Sequence, residues 1–425
     1  MTSVGEAAIE LLAGRGVNTV FGIPGVHTLE FYRGLAGSGI RHVTPRHEQG
    51  GGFMADGFGR VTGTPGVCLV ITGPGVTNVL TPVAQAYHDS KPLLVLSSSV
   101  AADGHGRGTI HDLPDQQALA SSVTAFSHAV RSPDELADAM ARAWDVFESG
   151  RPRPVHIQIP VDVLRAPAPD MPAARDPRAR PVAGEAELRR AADVLAAAGR
   201  PVVLIGGGGV DAGVQALAVA ELLDAPVGLT INARGVVPTG HPLCLGSAVS
   251  FPPISDLLLG ADAMLAVGTE FSELDWWGLA EPPTLPAALV RIDVDPLQLG
   301  SRPCTPLLGD AAATLEALAR LLSGRRPIGR CLRWPATAAC CSRCPSSPRP
   351  ATRASRSRWW CGTTTVTARS EIRWHASASN RSAPMPAPTT WSRSRAALAA
   401  TACVRTIRAR SRRRWWRPFR PTGRP

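Results

Sequence analysis

A chain of 425 residues, 44% of them apolar, is long enough for two or three domains with cores of their own. No apolar run reaches the length of a bilayer span, and MTSVGEAAIELLAGRGV lacks the charged-then-apolar layout of a signal peptide, so the membrane and secreted classes are set aside and a cytoplasmic protein is expected. The net charge of +11 is unevenly spread: residues 325–425 hold 23 Arg and one acidic residue, Glu371, while the rest of the chain is net acidic. The tail also carries 6 of the 9 Cys, and Cys68, Cys244 and Cys304 in the body are far apart, as ordinary thiols are.

In chain order, the N-terminal stretch reads as a helix with Ala8, Ile9, Leu11 and Leu12 along one face and Gly14 near its end. NTVFGIPG is a short apolar strand ending in a glycine turn, and HVTPRHE is a second strand-to-loop passage. VCLVITGPG and KPLLVLSSS are continuous apolar runs of the kind buried on both faces, and PVHIQIPVDV is a further strand. Helical stretches separate them: GGFMADGFGRV, TNVLTPVAQAYHDS and PDELADAMARAWDVFES. Strands alternating with helices predict a parallel sheet covered on both faces, over residues 1–165. A Pro/Ala/Arg-rich linker spans 166–183. The alternation resumes over 184–322, where RPVVLIGGGGVDAG, APVGLTINARG, ADAMLAVGTEF and ALVRIDVDP are four strand ends. The expected fold class is α/β, two consecutive doubly wound parallel-sheet domains, followed at 323–425 by an irregular basic tail. By composition alone that tail reads as disordered and able to bind nucleic acid.

Candidate chemistry gathers at the strand ends of the first domain. The segment TPRHEQGGGFMADGFGR sets Glu48 between Arg46–His47 and the glycines Gly50, Gly51 and Gly52, which would let a helix start close to a ligand or a partner backbone. A lone glutamate is more simply a surface residue paired with Arg46 or Arg60. Pro24 and Gly25 end the first strand, where a doubly wound sheet binds its ligands. Thr72, Gly73, Pro74 and Asn78 form a second strand-end turn, with Asn78 a candidate helix cap. GGGGV at Gly206–Val210 is weak as a nucleotide signal on its own. The stretch GRGTIHDLPDQ holds His111, Asp112, Asp115 and Gln116, and for Asp112 and Asp115 loop solvation is the plainer role.

Six motifs in register, FGIPG, RHEQGGGFMADGFGRVTG, ITGPGVTN, PVHIQIPVDV, GGGGV and RIDVDP, make residues 1–322 resemble the thiamine-diphosphate enzymes of the acetolactate synthase and 2-oxo acid decarboxylase type. The resemblance implies a pyrimidine-binding domain at 1–165 and a central domain at 184–322. It implies thiamine diphosphate as electron sink for decarboxylating a 2-oxo acid, with Glu48 making the cofactor reactive. It places Pro24, Gly25, Thr72, Gly73, Pro74 and Asn78 around the cofactor in an interface between two subunits, and so predicts a homodimer or homotetramer. Central domains of this family hold FAD in some members and nothing in others, and the glycine turn here does not favour FAD. Where acetolactate synthases carry Phe-Gln-Glu, this chain has His-Asp-Leu at His111–Leu113. The wording TIHDLPDQ is similar to the decarboxylases acting on 5-guanidino-2-oxopentanoate, and implies Asp112 or Asp115 against a cationic substrate tail, with His111 and Gln116 nearby. A carboligase of the acetolactate synthase type is the alternative. A non-catalytic oligomerising protein with a nucleic-acid-binding tail is the alternative of another class.

The family holds Mg2+ and the diphosphate in a third domain marked by Gly-Asp-Gly and, further on, Asn-Asn, which supply hard oxygen ligands. Neither signature occurs after Leu322, so no metal ligand is assigned in this chain. Back-translation of Trp334–Ser370 in a shifted frame, however, permits both signatures at the family's spacing, and strand-helix alternation returns throughout. The tail therefore reads as a frameshifted remnant of the diphosphate-binding domain. The signature comes too soon after the central domain, so a deletion accompanies the shift.

Overall fold

The computed structural model describes residues 1–170, 179–277 and 283–325. The readings placed on the tail (a shifted reading frame, magnesium-site loss, nucleic-acid binding) fall on residues outside these. Among the described residues no helix is long and apolar enough to cross a membrane.

The first sheet contains β1 (Thr19–Gly22), β2 (Arg41–Val43), β3 (Gly66–Val70), β4 (Leu93–Ser99), β5 (Phe126–Ala129) and β6 (Val155–Pro160), in the order β2-β1-β3-β4-β6-β5. Every pairing is parallel. The chain leaves β1 for β2 on one side and returns through β3 on the other. The crevice outside the carboxyl ends of β1 and β3 is therefore the switch point, where such sheets take ligands. The second sheet contains β7 (Pro201–Ile205), β8 (Val227–Leu229), β9 (Cys244–Gly246), β10 (Ala263–Val267), β11 (Ala288–Asp293) and β12 (Thr305–Leu308). Its order is β12-β11-β10-β7-β8-β9, again all parallel, with the switch point between β7 and β10. Two doubly wound parallel-sheet α/β domains are thus present, as the alternation of strands and helices predicts.

Local chemistry accounts for the elements. The helix Val4–Gly14 opens with a capping box: Glu6 N–H donates to Ser3 Oγ at 3.2 Å, and Ser3 N–H to Glu6 Oε2 at 2.7 Å. β3 and β4 are buried at every position, as their continuous apolar runs require. One face of the first sheet packs Leu69, Leu94, Ile157 and Trp144 under the outer helices. The other face packs Phe21, Val79 and Val95 under the helices Glu48–Thr62 and Pro74–His88. The sequence pattern did not show β5, β9 and β12. They are three- or four-residue strands, β5 and β9 half-buried throughout and β12 exposed at two of its four positions, with no long apolar run. Arg151 links the two domains, with ion pairs to Glu270 and Asp295.

The glycines of the Glu48 segment lie elsewhere than their sequence position implies. The helix starts at Glu48, ahead of Gly50, so the three glycines are inside it. A Cβ at Gly52 would overlap Pro82 Cγ and stand 2.9 Å from Val79 Cγ2, whereas one at Gly50 would meet nothing within 4 Å. Gly52 serves the close approach of two helices; it does not open the first one.

Candidate active site

The helix Glu48–Thr62 begins at the carboxyl edge of the first sheet. His47 caps it by accepting the Gln49 N–H on Nδ1 at 3.1 Å. Glu48, half-buried, therefore puts its negative charge in the first turn, at the positive end of the helix dipole. Asn78 Nδ2 donates to Glu48 Oε2 at 2.9 Å. The simpler pairing with Arg60 does not occur: that guanidinium bonds Asp56 and Asp89 at 2.9 and 2.7 Å. Nor does Asn78 cap its helix. Gly73, at φ 67°, is the N-cap, Pro74 follows, and Asn78 lies one turn in, facing the neighbouring helix.

The two strand-end turns flank this contact. Gly25 N–H donates to Thr28 Oγ1, which returns a hydrogen bond to the Gly25 carbonyl, at 3.2 and 3.1 Å. Pro24 is exposed and Gly25 half-exposed. Thr72 is buried and shares a 2.8 Å hydrogen bond with Ser98 Oγ. Gly73 N–H donates to Gln116 Oε1 at 2.8 Å. The amide of Gln116, 5% exposed, in turn donates to Ser98 O at 2.9 Å, Gln158 Oε1 at 3.1 Å and Ser97 Oγ at 3.2 Å. Gln116 thus bolts the Gly73 turn to β4 and β6. The network ends in His156, whose ring lies between Ser97 Oγ at 2.8 Å and Ser127 Oγ at 2.7 Å. Complete burial pushes the His156 pKa down to about 3, so the ring is neutral.

The loop after β4 closes a cavity of about 120 Å³ lined by Thr72, His105, Asp112, Asp115, Gln116 and Gln158. Both acids in it have local partners. Asp112 accepts from His105 Nδ1 and from Gly106 N–H, each at 2.8 Å, and the latter bond leads in holding its pKa low. Asp115 caps the next helix, accepting the Ala118 N–H at 2.7 Å. His111 stands beside the Gly73 turn in a left-handed conformation, φ 65°. A Cβ on Gly73 would collide with its carbonyl oxygen, so only glycine fits there. His27, in the turn after β1, packs edge to face on His111 with ring centroids 6.1 Å apart. Sequence reasoning passed over His27, because a lone histidine in a turn carries no pattern.

The donor set fits the pyrimidine part of thiamine diphosphate. One carboxylate is held in place by an amide at the switch point, between two strand ends kept free of side chains by Gly25 and Gly73. Among the described residues no group of three or more His, Cys, Asp or Glu is placed to hold a metal ion.

Comparison with known proteins agrees with this fold. Residues 2–119 match the model of the thiamine pyrophosphate enzyme N-terminal TPP binding domain, and residues 188–318 match the central domain of the same enzymes. The chain is 51% identical over 322 residues to the probable 2-ketoarginine decarboxylase AruI of Pseudomonas aeruginosa, covering 74% of this chain and 57% of that protein. It is 34% identical over 327 residues to the acetolactate synthase isozyme 1 large subunit of Escherichia coli, covering 75% and 58%. A putative thiamin diphosphate-dependent enzyme from Mycobacterium smegmatis superposes with a TM-score of 0.69 at 26% identity, covering 78% of this chain and 64% of that one. The chain thus spans a little over half the length of the curated relatives it matches. Its two α/β domains make it a member of the thiamine pyrophosphate enzyme family.

Proposed function

We propose that this chain is the pyrimidine-binding and central part of a thiamine-diphosphate-dependent 2-oxo acid decarboxylase acting on 5-guanidino-2-oxopentanoate. The observation that carries the reading is the Asn78–Glu48 hydrogen bond at the switch point of the first sheet. Bound thiamine diphosphate would supply the electron sink for loss of carbon dioxide from the 2-oxo acid. Glu48 would accept the aminopyrimidine ring, and Asn78 would fix the carboxylate's orientation. Pro24, Gly25, Thr72, Gly73 and Pro74 would shape the walls against the ring. Identity of 51% to a probable 2-ketoarginine decarboxylase, against 34% to an acetolactate synthase, supports decarboxylation over carboligation.

The site would be shared by two copies in a cytoplasmic homodimer or homotetramer. Exposed apolar side chains on the turn and helix that carry Pro24 and Glu48 support this: Val26, Leu29, Phe53 and Met54. The diphosphate and Mg2+ would be held by the third domain, whose signature the codons of the tail permit in a shifted frame, and the chain as translated would then have little activity. FAD is the less favoured occupant of the central domain. The crevice between the domains measures about 300 Å³, the lower end for a drug-sized ligand, and Arg151 and Glu270 in its walls are ion-paired.

Sequencing the gene across the codons for Ser323–Arg333 in several isolates tests the frame. An uninterrupted present frame in all of them contradicts it. With the frame restored, the protein is expected to release carbon dioxide from 5-guanidino-2-oxopentanoate in the presence of thiamine diphosphate and Mg2+, and its Glu48→Gln variant is not. Equal activity of the two overturns the assignment of Glu48.

A further inference from the structure

Lys91 is the only lysine in the sequence; all the other Lys and Arg positions, 44 of 45, are arginine. An arginine stays charged in any protein, whereas a lysine amine can lose its proton and act as a nucleophile. The setting of this one amine favours that. The helix Pro74–His88 ends in Asp89, Ser90 takes the left-handed conformation at φ 55°, and Lys91 N–H donates back to the Ala86 carbonyl at 2.8 Å. This turn sets Lys91, half-buried, in the wall of the crevice between the two domains. Among the described residues its amine has neither an ion pair nor a hydrogen bond.

Three arginines hold the turn. Arg60 donates to Asp89 Oδ2 at 2.7 Å, and Arg151 Nε to Ser90 Oγ at 2.9 Å. Arg153 donates to the Tyr87 carbonyl and lies over the Tyr87 ring, 4.3 Å from its centroid. The acids around the turn are already paired: Asp56 and Asp89 with Arg60, Glu270 and Asp295 with Arg151. Burial leads in pushing the Lys91 pKa below the ordinary lysine value; the Arg60 charge adds to this, and Asp89, Asp56 and Asp211 oppose it. An exposed lysine keeps only about one amine in a thousand unprotonated near pH 7.4, so each step down raises the nucleophilic fraction.

The arginines also select the electrophile. An aldehyde would leave a cationic iminium among them, whereas carbon dioxide leaves a carboxylate, which they attract. We propose that Lys91 is a site of reversible carbamylation by carbon dioxide. The Nζ lone pair attacks the carbon, an N–C bond forms and one C–O π pair moves onto oxygen. The proton lost from Nζ passes to water or buffer. A three-atom reagent enters a crevice of about 300 Å³ freely. The proposal goes beyond the decarboxylase reading and does not depend on it, since dissolved carbon dioxide suffices.

The test is incubation of the full chain with 13C-bicarbonate, trapping of carbamates by an ethylating oxonium salt, and peptide mass spectrometry. The chain offers two amines, Lys91 Nζ and the N-terminus of Met1, so every adduct is assignable. Lys91 is expected to carry the label at about tenfold or more the occupancy of Nα-acetyl-lysine in the same solution, the gain one pKa unit gives. Lys91→Arg should abolish that 13C carbamate signal and leave only an N-terminal one. Arg60→Gln, which removes the nearest cation, should lower the occupancy severalfold, and Arg151→Gln serves if that variant does not fold. No adduct at Lys91, occupancy equal to that of the free lysine derivative, a signal that survives Lys91→Arg, or an occupancy that ignores the arginine variant would each overturn the proposal. None of these readouts requires thiamine or turnover.

Discussion

The Asn78 side chain donates to Glu48 Oε2 at 2.9 Å, joining the first residue of one helix to a residue one turn into its neighbour, the two packing side by side under the first sheet. Asn78→Ala should lower stability by about 0.5–1.5 kcal/mol, the net worth of one hydrogen bond, or somewhat more for a charged acceptor. Asn78→Asp should cost more at pH 7, because it sets two carboxylates against each other. The gap between the variants should close below about pH 4, where carboxylates take up protons. Urea unfolding midpoints at the two pH values measure this, and a gap that ignores pH would show that Glu48 and position 78 are not in contact.

The helix pair that brings these residues together depends on Gly52. Gly52→Ala forces a Cβ into Pro82 and Val79, and overpacking of this kind costs about 1–3 kcal/mol. Gly50→Ala, two residues earlier in open space, should instead stabilise by about 0.5–1 kcal/mol through helix propensity. Thermal melts of the two variants should move in opposite directions.

His156 gives the chain a pH dependence of fixed sign. Unfolded, it takes a proton near pH 6.5; folded, it does not until about pH 3. From pH 6.5 down to about 3 the unfolded state thus binds the extra proton, and stability falls by about 1.4 kcal/mol per pH unit from this group. His156→Asn should be less stable than the parent at pH 7 yet lose stability less steeply on acidification, by about one proton. Chemical denaturation between pH 7 and 5 checks the slope.

The parts of the site that reside in single segments were legible in the sequence. Glu48 follows a strand-to-loop passage, and Pro24–Gly25 and Thr72–Pro74 end apolar runs, because buried parallel strands leave continuous hydrophobic signatures and their exits need glycine. Contacts between segments were not legible. Asn78 looked like a cap, since its partner lies 30 residues away and its approach depends on Gly52 fitting against Pro82. Gln116 looked like a loop residue, although its burial against β4 and β6 makes it a bolt for the Gly73 turn. His27 carried no signal at all; only an unpartnered buried nitrogen beside His111 sets it apart.

The central claim is that Glu48 receives the aminopyrimidine ring. Calorimetric titration of the full chain with thiamine, which needs no diphosphate site, addresses it directly. The account predicts binding that Glu48→Gln weakens about tenfold or more, as expected for a hydrogen bond to a charged group, with the unfolding midpoint of the variant close to that of the parent. Equal thiamine affinity in the two proteins would contradict it.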